Sequence, residues 1–269
     1  MKKWMNILLL SCLALACVGQ KEDPELEPEI PVIPEETGGE ATGTRFFRRV
    51  LALDFTATWC QYCPNMAEAL EKAQEERPGR IVDLSIHYSD ALAAAEANEI
   101  VKSFKISAYP SLVFDWDAPS LFTEQQPSRM TAYVDAVLAR GEDASGLAMK
   151  TAIENGQLKV ELRMTAAADG EYALCAALVE DGILVTQTGA GDNYPCRAVL
   201  RGFLGPGREG TSTGVLKAGA ESSVIFTSDA PAQTDRLRVV ACILQGGKAV
   251  NALSCGINQE INYTYEKDN

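Results

Sequence analysis

The chain has 269 residues, 46% of them apolar and 23% charged, with a formal net charge of −13. That length is enough for one large or two ordinary domains with their own cores. The acidity excludes a phosphate-neutralising surface, so no nucleic-acid partner is expected, and no apolar stretch reaches the roughly 18 residues of a spanning helix.

Met1-Lys2-Lys3-Trp4-Met5-Asn6 is a basic start, and Ile7 to Ala16 is an apolar run of about ten residues, together a secretory leader. Ala14-Leu15-Ala16 before Cys17 supplies the small-residue cleavage pattern and resembles a lipoprotein signal, in which the cysteine after the cut is acylated. Choosing Cys12 instead would leave an apolar core too short for a leader. Residues 1–17 are therefore expected to direct export and to leave Cys17 as a lipid anchor in a bacterial cell envelope. Residues 18–44 hold prolines at 24, 28, 31 and 34 and eight carboxylates against Lys21. Such a segment buries too little apolar surface to offset its ordering entropy and is expected to be an extended tether.

From residue 45 the patterns of a folded unit begin. Arg48 to Phe55 is a buried type of strand, and Met66, Ala69, Leu70 and Ala73 mark one face of a helix ending near Pro78-Gly79. Ile81 to His87 is the next strand. Ser89 and Asp90 are candidate caps for a helix over Ala91 to Phe104, and Ser111 to Phe114 is a third strand. Thr123-Glu124 closes a last strand before an amphipathic helix at Ser128 to Arg140, stopped by Gly141. Alternating strands and helices predict an α/β layer over residues 45–145.

Between the first strand and the first helix lies Trp59-Cys60-Gln61-Tyr62-Cys63-Pro64. A cysteine where a strand gives way to a helix meets unpaired backbone N–H groups and the helix dipole, which favour its thiolate. The second cysteine, one turn on, is placed to resolve a mixed disulfide. Cys60 is thus the expected nucleophile and Cys63 the resolving thiol. A zinc site would need two further ligands, and His87 is the only histidine, so no metal is expected. No organic cofactor is needed, because the pair itself carries two electrons. A permanently closed, inert disulfide is the competing reading, since exported proteins carry such bridges.

Asp54-Phe55, Trp59-Cys60-x-x-Cys63 and Ala108-Tyr109-Pro110-Ser111-Leu112-Val113-Phe114, in this order and strand context, resemble the thioredoxin superfamily. The resemblance implies that Pro110 is a cis proline against the redox pair and that the Tyr109 backbone is offered to an extended substrate. It also implies that Asp54 is a buried carboxylate assisting Cys63. Asp83 falls where thioredoxins commonly carry a lysine, and Gln61-Tyr62 replaces Gly-Pro, which predicts a potential more oxidising than about −270 mV. Trp59 is expected to shield the pair, with Tyr62 beside it on the substrate face. His87 is expected to be a packing or surface residue, and Trp116 a rim aromatic.

After Gly146 the period changes. Val160, Leu162 and Met164 alternate with Lys159, Glu161 and Arg163, as in a strand buried on one face. Tyr172 to Glu180 and Ile183 to Gln187 read as a hairpin across Asp181-Gly182, and Arg238 to Gln245 and Lys248 to Cys255 as another across Gly246-Gly247. Seven or eight short antiparallel strands predict an all-β, immunoglobulin-like sandwich over residues 146–269. Cys175, Cys196, Cys242 and Cys255 fall in or beside these strands, either paired or as free buried thiols. A thioredoxin-like unit followed by a β-sandwich, with Asn193-Tyr194-Pro195-Cys196-Arg197-Ala198-Val199-Leu200-Arg201 in the second part, is similar to outer-membrane lipoproteins of gut and oral anaerobes.

The sequence thus predicts an envelope thiol-disulfide oxidoreductase acting on exported proteins with cysteines or disulfides. The alternative is a surface lipoprotein that uses the scaffold for binding without redox turnover. The sandwich is expected to position the first unit or choose partners, and to be dispensable for exchange with a small disulfide.

Overall fold

The structure is a computed structural model and describes residues 38–140 and 144–267. Cys12, Cys17, the predicted leader and most of the predicted tether lie outside those residues. The described end of the tether is not extended into solvent. Glu40 exchanges backbone hydrogen bonds with Tyr265, 2.8 and 2.9 Å, and Gly39 lets the two segments approach closely.

The first half runs β1 (Val50–Thr56), α1 (Cys63–Glu76), β2 (Ile81–His87), α2 (Ala97–Ser103), β3 (Ser111–Phe114) and α3 (Pro127–Leu138). β1 pairs parallel with β2 and antiparallel with β3. Met66, Ala69, Leu70 and Ala73 of α1, the face the helical spacing predicted, and Met130, Val134 and Val137 of α3 pack on Val50, Ala52, Leu112 and Phe114. Three local expectations are corrected. Helix α2 starts at Ala97 rather than Ala91, because Asp90 does not cap it. Its carboxylate instead accepts from the Thr58 and Leu92 N–H groups and from His87 Nδ1. The strand expected to close at Glu124 is only a single bridge between Leu112 and Phe122. Trp116 is buried, stacked on Phe104, rather than a rim residue.

The second half runs β4 (Gly146–Glu154), β5 (Gln157–Thr165), β6 (Gly170–Glu180), β7 (Ile183–Gln187), β8 (Gly191–Cys196), β9 (Val199–Leu204), β10 (Thr211–Leu216), β11 (Glu221–Asp229), β12 (Leu237–Gln245), β13 (Lys248–Gly256) and β14 (Glu260–Ile261). One sheet, ordered β11-β5-β4-β14, packs against the β6-β12-β13 portion of a larger sheet. Leu147, Met149, Val160, Leu162 and Met164 meet Leu174, Ala176, Val239, Ala241 and Ile243 between them. The expected sandwich is formed, and β12 and β13 make the expected hairpin.

The other predicted hairpin is not formed. β6 pairs with β12, β9 and β10, and β7 turns away to pair with β8. The Asp-Gly signal is overridden by long-range bonds: Asp181 accepts from the Ala198 N–H and from Arg238, while its own N–H donates to the Arg236 carbonyl. A buried carboxylate held by a guanidinium outweighs a local turn preference of about 1 kcal/mol.

The larger sheet does not stop at the boundary between the halves. It is ordered β13-β12-β6-β9-β2-β1-β3, with β10 also on β6, and β9 joins β2 in parallel at Val199 and Ser85. Leu51, Leu53, Phe55, Val82, Leu84 and Ile86 share one core with Cys175, Ala177, Val179, Val240 and Cys242. This explains why β12 is buried along nearly its whole length: one face serves the sandwich and the other the α/β layer. The first unit is therefore not self-contained, since without residues 146–269 that apolar face would be open to water.

Candidate active site

Cys60 and Cys63 form a disulfide, with Cα atoms 5.5 Å apart. Cys63 is the first residue of α1 and Pro64 follows in its first turn, where a missing N–H costs no helix bond. Cys60 closes a turn whose N–H donates to the Ala57 carbonyl at 3.0 Å. Both cysteines are nearly covered, 3% and 2% exposed, with Ala57 and Tyr109 packed against them.

The aromatic residues named from sequence separate into two groups. Trp59 is half-exposed, sets its edge on Tyr109 at 5.3 Å and donates from Nε1 to the Tyr88 carbonyl. Tyr109 in turn stacks on Tyr88 at 5.6 Å. Burial pushes the Tyr109 phenol up to about 12, with Tyr88 adding a smaller effect, and among the described residues its hydroxyl has no hydrogen-bond partner. The Tyr109–Pro110 bond is cis, and Pro110 is buried next to β3. Tyr62 stands apart, exposed at the start of α1.

Asp54 lies on β1, six residues before Cys60, and is buried, and among the described residues its Oδ1 has no hydrogen-bond partner. Burial, and to a lesser degree the nearby Asp83, push its carboxyl up to about 7. Asp83 sits diagonally across the β1–β2 ladder, since Ala52 pairs with Asp83 and Asp54 with Ser85. Burial alone would raise Asp83 as well. The charges of Arg238 and Arg197 outweigh it and hold Asp83 below the usual carboxylate range. Arg238 comes from β12 and bridges Asp83 at 3.0 Å and Asp181 at 2.8 Å. The cation that neutralises Asp83 thus comes from the second half. Its one sequence signal is a charged residue at the start of an otherwise apolar strand.

Asp54 and Cys63 line a common cleft of about 310 Å³ between α1 and the β7–β8 hairpin. His87, hydrogen-bonded through Nδ1 to Asp90 at 2.8 Å, and Cys196 line it too. Burial, then Asp90 and Asp54, push the Cys196 thiol up to about 12, so it stays protonated and unreactive. Cys175, Cys242 and Cys255 are likewise free and buried. Cys175 lies directly across the β6–β12 ladder from Cys242, whose contact, followed by burial, raises its thiol well above the ordinary value.

The hairpin also touches the redox turn. Gln187 Nε2 donates to the Ala57 and Cys60 carbonyls at 3.1 and 2.9 Å, the Thr188 N–H donates to the Thr58 carbonyl at 2.9 Å, and Arg197 pairs with Glu71 of α1 at 2.7 Å. None of these residues was assigned to the redox site from sequence, because their role there depends on where β7 and β8 go. Among the described residues no group of three or more His, Cys, Asp or Glu side chains is placed to hold a metal, and no helix is long and apolar enough to cross a membrane.

Comparison with known proteins agrees with this geometry. Residues 44–135 match the Thioredoxin family model. Among solved structures, HBP35 of Porphyromonas gingivalis aligns with a TM-score of 0.69 at 16% identity, over 81% of this chain and 77% of that one. Protein AGR_C_4864 from Agrobacterium tumefaciens aligns with a TM-score of 0.54 at 15% identity, over 82% of this chain and 98% of that one. No curated protein sequence matches significantly. The two structural likenesses span both halves of the chain and concern its fold. The chain carries a thioredoxin-superfamily domain at residues 44–135, continued by a β-sandwich.

Proposed function

We propose that this chain is a thiol-disulfide oxidoreductase of the bacterial cell envelope, anchored through Cys17 at the outer membrane and acting on exported proteins with cysteines or disulfides. The observation that carries the redox part is the Cys60–Cys63 bond at the start of α1, beside a cleft that holds the buried carboxyl of Asp54. In the reducing direction the Cys60 thiolate attacks a target disulfide, forms a mixed disulfide and expels one target thiolate. Cys63 gives its proton to Asp54 and attacks the Cys60 sulfur. The second target thiolate leaves, the Cys60–Cys63 bond re-forms, and two electrons have passed to the target. The reverse sequence oxidises a target dithiol. Trp59 and Tyr109 form the wall against which a target segment would lie, with Tyr62 exposed beyond it. The near-complete burial of both sulfurs favours the second reading, a binding scaffold without turnover, and so defines the test. The reduced chain mixed with a small disulfide should release two small thiols per chain, and in cells it should take up labelled palmitate that Cys17→Ala loses. No release would refute the redox part, and no label the anchor.

A further inference from the structure

We propose that the β7–β8 hairpin belongs to the redox site, with Gln187 a positioning residue whose side-chain amide fixes the Cys60 turn and sets the exchange equilibrium of the Cys60–Cys63 pair. This rests on the reading of that pair as redox-active.

Gln187 ends β7 and is 3% exposed. Its Nε2 faces three carbonyl oxygens, those of Ala57, Cys60 and Thr188, so the amide nitrogen and not its oxygen must point into the turn. The neighbouring residues follow the same segment. Thr188 bonds the Thr58 carbonyl. Gly189, at a φ of 90°, lies so close to the backbone of Gln61 that a Cβ would collide with the Gln61 carbonyl oxygen. The hairpin therefore tracks the chain from Ala57 to Gln61. A surface strand that only covered the site would not need a buried amide aimed at the carbonyl of the nucleophile.

Chemically, the two redox states differ at the Cys60 sulfur, which gains negative charge when the bond is opened to the thiolate. The oxygen of its own carbonyl is a nearby negative pole. An N–H bonded to that oxygen offsets it, and does more for the thiolate than for the disulfide. Only such a differential interaction moves an equilibrium. Reduction by glutathione supplies two electrons to the pair, puts a proton on each sulfur that ends as a thiol, and leaves glutathione disulfide.

Gln187→Leu keeps the bulk and removes the donors. Equilibrated with glutathione buffers, this variant should be reduced about tenfold less readily than the parent, which is about 30 mV more negative. Its 240 nm thiolate absorbance should develop at higher pH. Thr186→Ala, which removes an exposed bond to Asp192 within the same hairpin, should stay within about twofold of the parent. If Gln187→Leu does not melt cooperatively, Gln187→Asn replaces it, its shorter amide unable to span both carbonyls, with a shift of at least threefold in the same direction. A folded variant whose equilibrium and thiolate titration both match the parent would overturn the proposal while leaving the redox reading standing. A parent chain that no thiol buffer reduces would overturn both.

Discussion

Cys63→Ser is expected to convert the protein into a trap. With the resolving sulfur gone, Cys60 can still attack a target disulfide, but the mixed disulfide has no internal route of release. Purified from the envelope fraction under non-reducing conditions, this variant should carry covalent adducts that dithiothreitol removes. Cys60→Ser should carry none and should lose exchange with small disulfides altogether. The asymmetry is the informative result, because Cys60 and Cys63 are buried almost equally, so exposure alone does not separate them. Adducts through Cys63 instead would reverse the assignment of roles.

Asp54→Asn should slow turnover and stabilise the fold at once. The carboxyl is raised from 3.8 to about 7 by burial and, less, by Asp83. Below about pH 4 folded and unfolded chains are both protonated at this residue. Between about 4 and 7 the unfolded chain releases a proton that the folded chain keeps, so stability falls as pH rises, and above 7 the loss is complete. The shift of about three units corresponds to roughly 4 kcal/mol. Asn carries no such penalty, so the variant should gain up to that amount at pH 8 and nothing at pH 4, read by urea denaturation. Asp115, raised to about 6 mainly by burial, tilts both proteins equally and cancels in the difference. In the same variant the resolving step should be about a hundredfold slower at pH 8, and the rise in rate through pH 7 should disappear. A variant with unchanged rate and pH profile would remove Asp54 from the mechanism.

Much of the first half was legible because its signals are local. The Met66, Ala69, Leu70, Ala73 spacing, the strand at Ile81–His87 and the cysteine pair before Pro64 are read within a few residues of themselves. What was not legible depends on register between distant strands. Asp181-Gly182 is a good turn sequence, yet Arg238, fifty-seven residues on, holds the carboxylate and sends β7 elsewhere. That diversion brings Gln187 to Cys60 and Arg197 to Glu71. Arg238 also compensates Asp83, which in sequence is only a departure from a familiar pattern. Two halves that look sequential are one folded body at the sheet, and the second half supplies both a wall of the cleft and the guanidinium that pairs with Asp83.

The central claim, that Cys60 and Cys63 are a working couple rather than a fixed bridge, is tested most directly by the reduction potential of the pair in thiol-disulfide buffers. A reversible two-electron transition with a midpoint between about −270 and −120 mV is predicted, within the range of catalytic pairs. A bond that stays closed below about −300 mV would mark it as a structural disulfide and contradict the account.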